Sequence, residues 1–516
     1  MPLGHGHGDL RRMSLGRKSG DGERADQGGG EDETVVEPEQ GNVLSHIISQ
    51  LRPGADLSKV TLPTFILEPR SMLERITNFM AHPETLLPMT EIEDPVQRFV
   101  SVIKFYLSGW HIKPPGVKKP LNPILGETFT CYWEYPDHTR GYYISEQTSH
   151  HPPKSSYFFM APEHNIRIDG ALKPRSKFLG NSAASMMEGI AVLRFMNRGT
   201  ANGGEKYFVT QPNMYARGIL FGKMKYELGD HSSVRCPETG LMADIEFKTK
   251  GYFGGTYNAI GGIIKNEKTG ETLYELSGMW SEEMFCKNVK TGQKEVLFNA
   301  THAKHTAPIV RPLEEQEERE SQKLWYKTVV AIKESNHAAA TEEKTKIEDR
   351  QRDETAKRQE QGIDWHPKLF RRVHGGYGGS EEGEEDLDWI LNADIDGPTP
   401  EAKTKQILAV APILKDQSAS QDSNPVSPQH AQHTPQQPSQ SRQQPTGQGQ
   451  KDLIDFGQTD SSSSVPVRGS SLQQQMTQQP TNSPAGLQEP LMPGHPIKRV
   501  DTLTKDLDEF VDAPGN

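Results

Sequence analysis

The spacing of hydrophobic positions changes along the chain, and each change predicts a different element. In VLSHIISQL, Val43, Leu44, Ile47, Ile48 and Leu51 make one stripe of a short helix that Pro53-Gly54 stops. SMLERITNFM (71–80), with Ser71 in the capping position, and PVQRFVSVIKFYLSGW (95–110) carry the same helical period. From residue 127 the period falls to two. In ETFTCYWEY, Phe129, Cys131, Trp133 and Tyr135 alternate with Thr128, Thr130, Tyr132 and Glu134; in MADIEFKT, Ala243, Ile245 and Phe247 alternate with Asp244, Glu246 and Lys248. RGYYIS, GIAVLRF, KYFVTQ and TLYELSGMW repeat the pattern between Gly, Asn and Asp turns. Many half-buried strands with no helix between them predict an α+β, mainly β fold, its large antiparallel sheet closed into a barrel around a cavity. The helical period returns after Pro312, in PLEEQEERESQKLWYKTVVAIKES and the charged EEKTKIEDRQRDETAKRQEQ. WHPKLFRRV (365–373) then ends the patterned region.

Composition limits how much of the chain folds. Of 516 residues, 33% are hydrophobic and 25% charged, with a net charge of −11, an apolar share too low for a wholly folded chain. The shortfall is at the ends. Residues 1–40 hold GHGHG, GGG and the acidic EDETVVEPEQ; from 378 the chain is acidic, then rich in Gln, Ser and Pro. Such segments bury too little apolar surface to offset ordering entropy, so a disordered leader (1–40), a folded body (41–377) and a mostly disordered tail (378–516) are expected. The helix at 43–51, between leader and body, reads as part of a lid over about 42–66. Cys131, Cys236 and Cys286 lack metal-ligand spacing, which points to a reducing, cytoplasmic setting without disulfides or zinc. No run of about 18 apolar residues occurs, so membrane contact is expected to be peripheral.

The densest chemistry lies in EQTSHHPP, Glu146 to Pro153. Proline cannot donate to a sheet ladder, so His150 and His151 belong at a strand end or loop, where paired imidazoles offer N–H donors suited to a phosphate. Lys119 and Asn122 sit in KKPLNPILGETF, a proline-pinned loop just before the first strand. Lys344, Glu348 and Arg352 recur at i, i+4 and i+8; at 100° per residue they span roughly 80° and share one helix face. Spacing alone reads them as an ordinary solvated ladder. No GxSxG elbow, Walker A loop or dinucleotide fingerprint occurs, and catalysis is not expected.

EQTSHHPP resembles, without a mismatch, the signature of the oxysterol-binding protein-related family of lipid transfer proteins, and the likeness extends over essentially all of 41–377. It implies that Lys344, Glu348 and Arg352, with Lys119, Asn122, His150 and His151, contact a phosphoinositide headgroup, the guanidinium binding two oxygens at once. LRPGADLSKVTLPTFILEPRSMLERIT is similar to the fungal subgroup that exchanges phosphatidylserine for phosphatidylinositol 4-phosphate. That likeness implies Leu62 and Ile66 at the acyl and lid region, and Ser176 with Lys119 and Asn122 near the serine headgroup. Sterol in place of phosphatidylserine, or a phosphoinositide-sensing scaffold, are the alternatives. In KDLDEFVDAPGN, Glu509, Phe510, Val511, Asp512 and Ala513 resemble the two-phenylalanines-in-an-acidic-tract (FFAT) motif that binds an endoplasmic reticulum receptor. The likeness departs at Val511 and Gly515, and would place the protein at endoplasmic reticulum–plasma membrane contact sites. Nucleic acid is not an expected partner. The acidic leader would be repelled by anionic bilayers.

Overall fold

The computed structural model describes residues 47, 49, 51–57, 62–199, 204–219, 223–251, 254–373 and 387–417, together with the backbone of 33–35. The expected alternation is realised as a 14-stranded sheet with antiparallel neighbours throughout. Its path starts at Thr128–Glu134 and passes through Arg140–His150, Pro153–Ala161, Ile166–Phe178 and Ser182–Phe195. Glu205–Val209 and Asn213–Arg217 then run one after the other along Ser182–Phe195. Lys223–Cys236, Leu241–Lys248, Ala259–Asn266, Thr272–Met279, Glu283–Asn288 and Lys294–Asn299 complete it. Among the described residues the first and last strands do not pair with each other. The first strand's outer edge is taken instead by the segment after the last, through reciprocal bonds between Tyr132 and Ile309 (N···O 3.0 and 2.7 Å) and a parallel bridge from Thr128 to Glu320.

Alternation sends side chains to two different neighbours. Phe129, Cys131, Trp133 and Tyr135 are buried in the main core with the helix Pro95–Ser108, whose Phe99, Val102, Ile103 and Tyr106 pack there. Asp94 caps that helix by accepting from the Gln97 N–H (2.8 Å), and buried Arg98 pairs both guanidinium arms with Glu205 (2.8 Å each). Pairing is what makes an arginine tolerable there, since an uncompensated buried charge is strongly destabilising. SMLERITNFM forms a helix over Met72–Arg75 and a tighter 3-10 turn over Ile76–Met80; Ser71 caps it as expected.

The other faces of Arg140–His150 and Pro153–Ala161 are buried too. Tyr142, Ile144, Phe158 and Met160 pack against Leu369, Phe370, Leu391, Ile395, Ile407 and Ile413. This corrects the expected boundary at 377, because the body continues to at least residue 417. Phe370–Arg372 pairs with Trp389–Leu391, and Thr399 caps a helix over Pro400–Val410. Asp388 joins Lys154 (2.6 Å) and Lys173 (3.0 Å) on two sheet strands. The leader also departs from expectation: the backbone of Glu33–Val35 is a strand paired with Lys223–Lys225.

Antiparallel order sorts the turns between two ends. The turns at 151–152 and 179–181, the end of Asn213–Arg217, the start of Lys223–Cys236 and the end of Leu241–Lys248 share one end, and the lid base is tied there: Gly54 N–H donates to Phe178 O (2.6 Å) and Phe178 N–H to Ala55 O (2.9 Å). Of the lid stripe, Ile47 is helical and Leu51 packs on the core, while Val43, Leu44 and Ile48 lie outside the described residues. No helix among the described residues is long and apolar enough to cross a membrane.

Candidate functional site

Most polar groups of EQTSHHPP hold the fold together. Buried Glu146 accepts the backbone N–H groups of Lys368 (2.8 Å) and Leu369 (2.7 Å), fixing the covering segment on the sheet. Burial pushes its carboxyl up to about 7, against those N–H donors. Gln147 accepts from Ser155 Oγ (2.6 Å) and Thr148 bonds Ser156 (3.0 Å). What remains for a ligand is the histidine pair at the strand's end, rings 4.5 Å apart at 64°.

The two imidazoles differ. His151 is exposed, whereas His150 Nε2 meets Gln351 Nε2 at 2.9 Å. Gln351 is buried, and its Oε1 accepts from the Leu125 N–H (2.6 Å), so the amide nitrogen is the donor and His150 Nε2 the acceptor. Burial first, then His151, depress the His150 pKa to about 4, the Pro123 backbone opposing; the ring is neutral at pH 7. The proton then sits on Nδ1, an atom buried without a hydrogen bond of proper geometry.

Gln351 belongs to the long helix His337–Glu360, whose turns explain the rest of the cluster. Ala340, Ile347 and Gln351 face the body; Ile347 packs against the cluster of Leu67, Leu121, Ile124 and Trp325. Lys344 lies on that stripe and Glu348 at its margin, joined by a 2.6 Å ion pair. Lys119, half-buried, starts a short strand that pairs in parallel with Leu67–Ser71. Burial lowers its pKa, the Lys344 ammonium adds to the effect, and Glu348 opposes it. Structure therefore brings Lys119 together with Lys344 and Glu348, while His150 meets the same helix at Gln351, about two turns further along. Arg352 is turned away: it lies about 100° around the helix from Gln351, is exposed, and pairs with Asp349. Asn122 is exposed as well. The turn beside it needs Gly126 (φ +75°), where an added Cβ would lie 2.5 Å from Trp365.

Leu62 and Ile66 are half-buried beside a 3-10 turn docked on the same helix. There Thr64 Oγ1 donates to His337 O (3.3 Å), Phe65 meets the His337 ring edge-on, and Lys118 Nζ donates to Phe65 O (2.6 Å). Ile66 packs on the main core. Ser176 is half-buried opposite Ser185, two residues before the Phe178 anchor of the lid base. Among the described residues no hydrogen bond joins it to Lys119 or Asn122. Gln351 was not anticipated; a buried polar position within a charged helix is invisible to spacing. The FFAT-like residues Glu509, Phe510, Asp512 and Ala513 lie outside the described residues. Among the described residues no group of three His, Cys, Asp or Glu is placed to hold a metal.

Comparison with known proteins matches the sequence and the fold to a family. The oxysterol-binding protein model matches residues 46–330 and 329–395. An oxysterol-binding protein-like protein of Candida albicans, OBPalpha, is 52% identical over 384 residues, 74% of this chain and 88% of its own. Oxysterol-binding protein homolog 7 of Saccharomyces cerevisiae is 53% identical over 382 residues, 73% of this chain and 85% of its own. Among solved structures, the Osh1 ORD domain in complex with ergosterol shares the fold at TM-score 0.58 and 24% identity, over 71% of this chain and 89% of that one. The Saccharomyces cerevisiae Osh3 ORD in complex with PI(4)P does so at TM-score 0.51 and 24% identity, over 72% and 94%. The chain belongs to the oxysterol-binding protein family, and its body is a lipid-binding domain of that family.

Proposed function

We propose that this domain binds phosphatidylserine and phosphatidylinositol 4-phosphate in turn in one pocket and exchanges them between membranes at contact sites. The observation that carries the phosphoinositide half is Lys119 beside Lys344. Two ammonium groups in a partly desolvated corner face one carboxylate, Glu348, and His150, held by Gln351 about two turns further along the same helix, is neutral with its proton on Nδ1. A phosphomonoester with nearly two charges would satisfy all three, whereas a sterol would leave them unmatched. Asn122, His151 and Arg352 would complete the cage by moving inward. Leu62, Ile66 and Ser176, near the lid base, would meet phosphatidylserine. Exchange then follows from two ligands competing for one site. An endoplasmic reticulum receptor held through Glu509–Ala513 would tether the protein at one membrane, and net direction would come from keeping the phosphoinositide low at one end.

A sterol/phosphoinositide exchanger is the second reading, favoured by the shared fold of the Osh1 domain in complex with ergosterol. Native mass spectrometry tests both. Protein loaded with phosphatidylserine should release it one-for-one when phosphatidylinositol 4-phosphate is added, with no doubly loaded species. Two lipids bound at once, or displacement by sterol alone, would contradict the exchange proposed.

A further inference from the structure

We propose that Ser185 is a specificity-determining residue for phosphatidylserine: with Ser176 directly across from it, it forms a two-hydroxyl clasp for the zwitterionic serine tip of that lipid and takes no part in holding phosphoinositide. The assignment deepens the lipid-exchange reading by separating the two headgroups within the pocket, and rests on that reading for the lipid itself.

Strand register places the two hydroxyls together. Ile166–Phe178 and Ser182–Phe195 pair without a slip, from Ile166 opposite Phe195 to Phe178 opposite Ala183, and Ser176 falls opposite Ser185. Side chains alternate along a strand, so residues an even number apart share a face. Leu172 and Phe178 lie in the main core, as do Met187 and Leu193, which turns Ser176 and Ser185 inward with them. Directly opposed side chains on one face have Cβ atoms about 5 Å apart, close enough for both hydroxyls to reach one ligand group. The row continues with Met214 opposite Ser185 and Leu228 opposite Met214.

The wall around the pair is apolar and partly open. Ala183 and Ala216, themselves opposed, flank it on the side of the lid base, and Met187 flanks it on the other. Ser176, Ala183, Ser185, Met214 and Ala216 are half-buried although they face inward, so this wall borders space that a ligand can enter. Charge stays on the outer face, where Arg175 pairs with Glu188 and Lys177 is exposed. The lid base lies just above: Phe178, two residues beyond Ser176, exchanges backbone bonds with Gly54 and Ala55.

Neither hydroxyl is committed to a strong partner. Ser185 Oγ donates to Met187 Sδ (3.5 Å), and a thioether is a weak acceptor. Among the described residues the Ser176 hydroxyl makes no hydrogen bond. Two such hydroxyls in an uncharged wall suit a group that accepts, donates and carries no net charge. The serine tip is that group: its carboxylate accepts the O–H bonds and its ammonium donates to the hydroxyl lone pairs. Phosphatidylethanolamine has the ammonium without the carboxylate and matches only half of the clasp. A phosphomonoester with nearly two charges gains more beside the ammonium groups of Lys119 and Lys344.

The test compares Ser185→Val with Ser185→Thr in the full chain. The two side chains have nearly the same size and shape, both suit a strand, and they differ in the hydroxyl. Phosphatidylserine and phosphatidylethanolamine with the same acyl chains are extracted from mixed vesicles in competition, and phosphatidylinositol 4-phosphate separately. Ser185→Val should lower the preference for phosphatidylserine over phosphatidylethanolamine by about tenfold, the effect of one hydrogen bond to a charged group. Its phosphoinositide uptake should match the wild type, and Ser185→Thr should restore the preference. An unchanged preference in Ser185→Val, an equal loss of phosphoinositide, or the same loss in Ser185→Thr overturns the clasp. Wild-type protein that takes up no phosphatidylserine would overturn the exchange reading and the clasp with it; failure of the clasp alone is seen only in the variants.

Discussion

The candidate headgroup site has an anchored half and a loose half. Lys119, His150, Lys344 and Glu348 are half-buried and held by strand pairing, by Gln351 or by one another. Asn122, His151 and Arg352 are exposed, and among the described residues Arg352 is held by Asp349, a surface neighbour. Side chains on both lists are capable of binding phosphate; what separates them is how much ordering a ligand must still bring about. Anchored groups have already lost rotamer freedom and part of their hydration, so an anion arriving beside them meets stronger attraction at less entropic cost. The anchored half should therefore set affinity for phosphoinositide, and the loose half should adjust it.

The sharpest way to break this contrast is to remove the anchored cations. Lys119→Ala with Lys344→Ala should weaken phosphoinositide binding by more than about a hundredfold, taking about 1.5–3 kcal/mol per charged contact, while phosphatidylserine binding falls less. Equal losses for both lipids would remove the contrast. Gln351→Ala frees His150 and leaves the Leu125 N–H unpaired, and should cost about tenfold in a vesicle-extraction assay. Acid titration sharpens the histidine difference. With His150 held near 4, the unfolded chain takes up its proton first, so this group's stabilising contribution is lost as pH falls from about 6.5 to 4. His150→Gln should flatten that part of the melting temperature–pH curve. Glu146, held near 7, has the opposite sign: its contribution is greatest at low pH and declines as pH rises from about 4.5 to 7. The smallest effect is expected for Arg352→Ala, within a few-fold for phosphoinositide binding. A loss comparable to that of the lysine pair would put the guanidinium among the anchored groups.

The same contrast explains what sequence could convey. Periodicity located the strands and the helix at 95–108, because burial on one face leaves a period of two or 3.6. It underestimated the C-terminal extent, although a signal was present. YYI in Arg140–His150 and YFFM in Pro153–Ala161 are unbroken apolar runs, as expected of strands covered on both faces, and something had to cover the second. Trp389–Leu391, Ile395, Ile407 and Ile413 are scattered within an acidic context, so composition averaged over the tail concealed them. His150 and Lys119 were legible through their motifs. Arg352 was read onto one face with Lys344 because an arc of 80° seemed narrow; the body touches a stripe centred nearer Gln351, which leaves Arg352 outside. Glu33–Val35 was missed because its partner strand lies almost two hundred residues away in sequence, beyond the reach of any local pattern.

Transfer between two vesicle populations addresses the central claim most directly. Phosphatidylserine is placed in one population and phosphatidylinositol 4-phosphate in the other, and each is followed separately with wild type and with His150→Ala/His151→Ala. The account predicts that each lipid accelerates transport of the other in the wild type, and that the double variant loses phosphoinositide transport while still carrying phosphatidylserine. Phosphoinositide transport that proceeds at the same rate with or without phosphatidylserine, or that survives the double substitution, would contradict it.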